Sequence, residues 1–164
     1  EYKLKVLNEY HQYAGAYGVI AGQVIDIESE NGKISGETKD VLKYIHLHKT
    51  SDLFKLSIRT GAIIAGASDE QIEVLTEFAE KLGLAFQIAD DVLDEISTFE
   101  ALGKTPGKDK NAGKLTYVSL FGIENSKCKL TCLFDECYDI MNAHELKSQI
   151  FTDIIEGIKK RVKI

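Results

Sequence analysis

Asp69-Glu-Gln-Ile-Glu-Val-Leu-Thr-Glu-Phe-Ala-Glu-Lys-Leu-Gly-Leu-Ala-Phe-Gln-Ile-Ala-Asp-Asp-Val-Leu-Asp-Glu-Ile96 decides the fold. Within it Ile72, Leu75, Phe78, Ala79, Leu82, Phe86, Ala89, Leu93 and Ile96 recur at three- and four-residue steps, the spacing of one face of an α-helix. Ser68 stands where an N-cap belongs. The same period extends in both directions. Upstream, Leu4, Leu7, Tyr10, Ala14, Tyr17, Ala21 and Val24 predict one amphipathic helix, followed by a polar break from Ser29 to Gly36. A helix is expected from about Glu37 to His48, with Val41, Leu42 and Ile45 inward, and another from about Thr50 to Ala65. Downstream the period vanishes between Thr98 and Gly113, then returns at Lys114–Phe121, about Asn125–Met141 and about Glu145–Val162. Sustained alternation of the kind that marks a strand is missing, and so are repeats and linkers. The expected fold is all-α, one antiparallel helical bundle in a single domain.

Composition narrows the class. The 164 residues carry 20 basic and 26 acidic side chains, a formal charge of −6, which disfavours general nucleic-acid binding because that needs a basic face to displace phosphate counterions. One proline and no long polar tract argue against disorder. A run of 18 or more apolar residues, enough to cross a bilayer, is not found in the sequence. Cys128, Cys132 and Cys137 lack the paired spacing of a zinc site and make an odd set for disulfides, so they are expected to be small buried hydrophobes of a reducing compartment, the cytoplasm.

The long segment ends in carboxylates. Asp90 and Asp94, four apart, share a helix face beside apolar neighbours. Like charges so placed are costly unless a cation or strong donors compensate them. Oxygen ligands suit a hard divalent ion, magnesium above all where phosphate oxygens complete its shell. The loop that follows holds Lys104, Lys108, Lys110 and Lys114. Ammonium groups beside a carboxylate-bound metal describe a site for diphosphate. Gly103-Lys104-Thr105 imitates the end of a nucleotide P-loop, but Thr98 stands where that motif requires glycine.

Phe86-Gln87-x-x-Asp90-Asp91-x-x-Asp94 resembles the second aspartate-rich motif of the trans-isoprenyl diphosphate synthases, the farnesyl and geranylgeranyl type. Gly103-Lys104, Lys108-Asp109 and Gly113-Lys114-x-Thr116-Tyr117 resemble the loop after it, Gly22-Gln23-x-x-Asp26 and His46-x-x-Lys49-Thr50 two earlier motifs. The resemblance implies the isoprenoid synthase fold and magnesium bound by Asp90 and Asp94, with Asp91 supporting that shell. It implies that Lys49, Lys104 and Lys114 grip diphosphate oxygens, that Asp109 adjoins the substrate, that Thr50 and Gln87 line the allylic end, and that Gln23 and Asp26 belong to the surrounding polar network. His46 would be a structural part of the motif turn, and His11, His48 and His144 ordinary surface or half-buried residues. The implied reaction joins isopentenyl diphosphate to an allylic diphosphate, in a homodimeric enzyme, the final proton passing to the departed diphosphate.

Two departures qualify the likeness. The family's first aspartate-rich motif and the arginine pair after it are missing, Arg59 and Arg161 being the only arginines. The chain therefore reads as the C-terminal half of such a domain, with a non-catalytic homologue, or a truncated partner subunit, as the alternative. A terpene cyclase would need an Asn/Asp, Ser/Thr and Glu metal motif after Asp94, for which no convincing match exists. The second departure is Asp52, where the family continues with small apolar residues; it faces either the cavity or solvent. Tyr13, Tyr17, Phe54 and Phe86 are either tunnel lining or plain core.

Overall fold

A computed structural model describes residues 2–33, 35–96, 114–146 and 148–164, and among them every regular element is helical. Helix α1 (Tyr2–Glu9) runs into a π-helical turn (Tyr10–Ala14), and α2 (Val19–Glu30) follows a bend. Helices α3 (Thr38–Ile45) and α4 (Asp52–Ile64) are joined without a break by a second π-helical turn, His46–Ser51. Then come α5 (Asp69–Ile96), the short α6 (Tyr117–Phe121), α7 (Ile123–Ala143) and α8 (Gln149–Val162).

The turn between α4 and α5 is written in its residues. Gly66, at φ +78°, takes the left-handed conformation, and the Gly66 and Ala67 amides return to the Ile63 and Ala62 carbonyls, a Schellman stop. Ser68 then opens α5 reciprocally: its hydroxyl accepts from the Gln71 amide at 3.2 Å while the Gln71 carboxamide accepts from the Ser68 amide at 2.9 Å. Four residues suffice to reverse the chain.

Helix α5 is the centre of the core. Phe78, Leu82, Ala85, Ile88 and Val92 are fully buried against Leu130, Leu133, Phe134 and Cys137 of α7 and Ile155 and Val162 of α8. Phe78 meets Phe151 with ring centroids 4.6 Å apart. Removing a ring so enclosed costs about 3–5 kcal/mol. Phe54 and Ile58 of α4 pack on the same cluster.

Several boundaries and faces differ from expectation. The first segment is two helices, broken between Gly15 and Gly18, and its apolar stripe points outward: Leu4, Leu7, Tyr10, Tyr17, Ile20, Val24 and Ile27 are exposed, Leu4 by 70% and Tyr17 by 79%. The inward side carries Glu9, Tyr13, Gly22, Asp26 and Ser29. Here Glu9 and Asp26 have charged partners in Arg59 and Lys49, so hydrophobic periodicity marks the stripe without marking which side meets the rest of the chain. No gap separates helices at His48 to Thr50, because the π-helical turn carries the backbone through. Helix α6 begins at Tyr117 rather than Lys114, capped by Thr116, and α8 at Gln149 rather than Glu145, capped by Ser148. Cys128 and Cys132 are exposed, against their reading as buried hydrophobes, whereas Cys137 is buried. Positions 128 and 132 fall away from Leu130, Leu133 and Phe134, which take the core side of α7.

Candidate functional site

The π-helical turn His46–Ser51 is the hub. An inserted residue widens a helix by one position and re-aims its side chains, so consecutive residues face different neighbours. Lys49 reaches α2, where its ammonium pairs with Asp26 Oδ2. Thr50 reaches α5, where its hydroxyl donates to Gln87 Oε1 at 2.6 Å.

Two glycines let α2 and α5 approach so closely. A Cβ on Gly22 would stand 2.7 Å from the His48 carbonyl carbon and closer still to the Lys49 amide nitrogen; one on Gly83 would stand 2.7 Å from Ser51 Cα. Both helices thus rest on the turn by their backbones. Asp26 follows Gly22 by four residues and Gln87 follows Gly83 by four, so each helix presents its polar side chain one turn beyond the contact.

From Thr50 the hydrogen bonds run on toward the aspartate motif. Gln87 Nε2 donates to Asp91 Oδ1 at 3.0 Å, and Asp91 Oδ2 accepts the Tyr117 amide at 2.7 Å, with His46 Nε2 at 3.5 Å. Asp91 is 3% exposed, and its two oxygens are both engaged in holding α6 and the π-helical turn to α5. The amide it accepts is one of those a helix leaves unsatisfied in its first turn. Burial raises the Tyr117 phenol above its ordinary pKa. The capping box of Thr116 and Ser119, each amide donating to the other's hydroxyl at 3.0 Å, fixes the approach to α6 and with it Lys114. Asp91, Asp94, Lys114 and Thr116 line a cavity of about 160 Å3.

Asp94 is buried and Asp90 half-buried, one turn apart. Among the described residues no three His, Cys, Asp or Glu side chains gather to enclose a metal. Asp94 on that cavity, with Asp90 one turn away, nonetheless fits magnesium, which is held by one or two carboxylates and keeps its other positions for water and phosphate oxygens. Their donor set is oxygen alone, which suits that ion and not a soft one.

Asp52 lies on neither of its expected surroundings. It is buried inside the chain, accepting from His48 Nδ1 at 2.8 Å and Lys55 Nζ at 2.9 Å, while Lys55 also lies 3.5 Å from Glu80. The position thus holds a buried carboxylate compensated by Lys55. Deeper toward α1, Arg59 clasps Glu9 with two bonds, 2.5 and 2.9 Å, and donates to Thr76 at 2.6 Å. Tyr13 sits beneath both Lys55 and Arg59, and burial raises its phenol pKa.

The structure therefore gathers Asp26, Lys49, Thr50, Gln87 and Asp91 into one connected set and sets Asp94 and Lys114 on one cavity. Gln23 is exposed. Lys104 and Asp109, with Gly103 and Lys108, lie outside the described residues. Phe54 and Phe86 contact one another, centroids 5.4 Å apart, whereas Tyr13 belongs to the Arg59 network and Tyr17 is exposed, so these four do not line one tunnel. Gly83 escaped the sequence reading; its signal was the spacing to Gln87, the same as that of Gly22 to Asp26.

Comparison with known proteins bears on this arrangement. The family model described as polyprenyl synthetase matches residues 2–155. The chain is 46% identical over 133 residues to a dimethylallyltranstransferase of Fischerella ambigua, covering 81% of this chain and 38% of that protein. It is 47% identical over 121 residues to the heterodimeric geranylgeranyl pyrophosphate synthase large subunit 2 of Arabidopsis thaliana, covering 74% and 32%. Among solved structures it resembles a geranyltransferase from Helicobacter pylori complexed with magnesium and isoprenyl diphosphate, with a TM-score of 0.78, 26% identity, and coverage of 97% of this chain and 51% of that one. A putative farnesyl-diphosphate synthase from Marinomonas sp. MED121 gives 0.76 at 32% identity, covering 96% and 52%. The chain spans about a third of the length of these curated relatives and about half that of the solved chains.

Proposed function

The chain belongs to the polyprenyl synthetase family, and from that premise we propose that it forms the C-terminal part of a single prenyltransferase domain joining isopentenyl diphosphate to an allylic diphosphate. The observation that carries this is the Lys49-Thr50 turn, clasped between Asp26 and Gln87 and tied through Gln87 to the aspartate-rich end of α5.

In this reading Asp90 and Asp94 hold magnesium, while Asp91, spent on Gln87 and the Tyr117 amide, positions the helix that presents them. Magnesium, when bound, neutralises charge on the departing diphosphate. Lys49, Lys104 and Lys114 add fixed positive charge on the same oxygens, with Asp109 beside the substrate. Asp26 keeps the Lys49 ammonium extended between turnovers. The Thr50 hydroxyl and the Gln87 carboxamide oxygen turn partial negative charge toward the allylic carbon as it becomes cationic, stabilising charge that develops only in the transition state. The product is a short-chain isoprenyl diphosphate of the farnesyl or geranylgeranyl class. The transferase names of the relatives favour this over a non-catalytic homologue.

The exposed apolar stripe of α1 and α2 suits burial against a like surface and supports a homodimer. No helix among the described residues is long and apolar enough to cross a membrane. Three free thiols fit a reducing compartment such as the cytoplasm.

The test is isoprenyl transfer by the purified chain, given magnesium, isopentenyl diphosphate and dimethylallyl, geranyl or farnesyl diphosphate. Expected is binding of the allylic diphosphate without turnover, and turnover once a relative's N-terminal half bearing the first aspartate motif is added. Product from the chain alone would contradict the part-domain assignment; failure to bind diphosphate under any condition would contradict the function.

A further inference from the structure

The exposed thiols of α7 lie apart from everything the proposed reaction uses. Cys128 and Cys132 are both free and solvent-facing, four residues apart within one uninterrupted helix. Side chains at that spacing stack on one face with Cβ atoms about 5–6 Å apart. A disulfide requires Cβ atoms about 3.5–4.5 Å apart, so closing one would compress the helical turn between them. A metal ion removes that demand. With metal–sulfur bonds of about 2.3 Å, two sulfurs on opposite sides of one ion stand about 4.6 Å apart, a span the two side chains cover by rotation at Cβ. Thiolate ligands select soft cations, and an ion content with two collinear sulfurs is monovalent copper.

We propose that Cys128 and Cys132 form a two-thiolate site for a soft monovalent cation of the Cu(I) type on the exposed face of α7. Each thiol loses its proton to solvent as its sulfur binds, and no electron is transferred, the ion entering and leaving as Cu(I). Cys137 takes no part: it is buried in the core, and burial pushes its thiol up to about 12, beyond the range in which it deprotonates readily.

The experiment is anaerobic titration of the reduced full chain with Cu(I) supplied as its coloured bicinchoninate complex, loss of colour reading transfer to protein. One equivalent is expected to move to the wild-type chain and to Cys137→Ser, and none to Cys128→Ser or Cys132→Ser, with the helical circular dichroism of both single variants unchanged. Retention of the full equivalent by either single variant overturns the proposal. So does a wild-type chain that takes none, or a stoichiometry of one ion per two chains.

Discussion

Replacing Gly22 by alanine separates a helix that rests on the π-helical turn from one that merely lies near it. The new Cβ would stand 2.7 Å from the His48 carbonyl carbon and closer still to the Lys49 amide nitrogen, where ordinary contact begins at 3.4 Å, so the two backbones must part by more than 3.4 − 2.7, about 0.7 Å. Neither obstacle can rotate aside, since both belong to the main chain. In a helix interior with open surroundings the same substitution gains about 0.5–1 kcal/mol, and overpacking a close contact costs about 1–3 kcal/mol, occasionally more. Displacing α2 also stretches the pairing of buried Asp26 with Lys49, and Asp26 Oδ1 already lacks a partner among the described residues. Strain and weakened pairing together amount to a net loss of about 2–4 kcal/mol. For a chain of this length that corresponds to a fall in Tm of about 4–16 °C. Urea and thermal unfolding followed by circular dichroism read it directly. Gly61→Ala is the control, because Gly61 lies inside α4 with nothing among the described residues within 4 Å of its Cβ position, and it should gain about 0.5–1 kcal/mol. If Gly22→Ala proves as stable as Gly61→Ala, α2 does not rest on the turn, and the explanation of the Gly22-to-Asp26 spacing fails.

Other consequences are open to simple measurement. Arg59→Ala leaves the largely buried Glu9 carboxylate without its two donors and should cost about 2–4 kcal/mol in urea unfolding, with Arg59→Lys restoring only part because a single ammonium cannot make the fork. A thiol reagent in mildly alkaline buffer should titrate Cys128 and Cys132 at once and Cys137 only after denaturation. The Tyr138 phenol, held at about 12 by burial and by its 2.6 Å bond to Glu156, should resist alkaline ionisation in the folded chain, as read by phenolate absorbance. The same bond lowers the Glu156 pKa, so its contribution to stability is present above the usual carboxylate range and is lost as pH falls through the lowered value; the stability gap between wild type and Tyr138→Phe should therefore close in acid.

Much of the bundle was legible because helices advertise themselves by period and caps. The stripe from Ile72 to Ile96 and the cap at Ser68 are local signals, and both are seen in the fold. Motif order was equally informative: Asp26, Lys49, Thr50, Gln87 and Asp91, scattered over three elements, meet at one turn. What stayed hidden is tertiary. The π-helical turn has no propensity of its own to announce it, since it exists where two glycine-bearing helices press on a continuous helix. Which face of α1 and α2 turns inward is set by Glu9 and Asp26, buried against Arg59 and Lys49, charges whose positions no single segment reveals. Asp52 likewise could be placed only once His48 and Lys55 were seen beside it. Burial, the average behaviour of a free thiol, holds for Cys137 but not for Cys128 and Cys132, because Leu130, Leu133 and Phe134 claim the core side of α7.

The most direct test of the diphosphate site is calorimetric titration of the chain with geranyl diphosphate, with and without magnesium, in the wild type and in Asp90→Asn, Asp94→Asn and Lys49→Ala. Asparagine keeps the size and the helix while removing the charge that holds the ion. Binding should require magnesium and weaken by about 10–100-fold in each aspartate variant, and Lys49→Ala should weaken it as well. Binding that is indifferent to magnesium, or that survives unchanged in both aspartate variants, would contradict the assignment of Asp90 and Asp94.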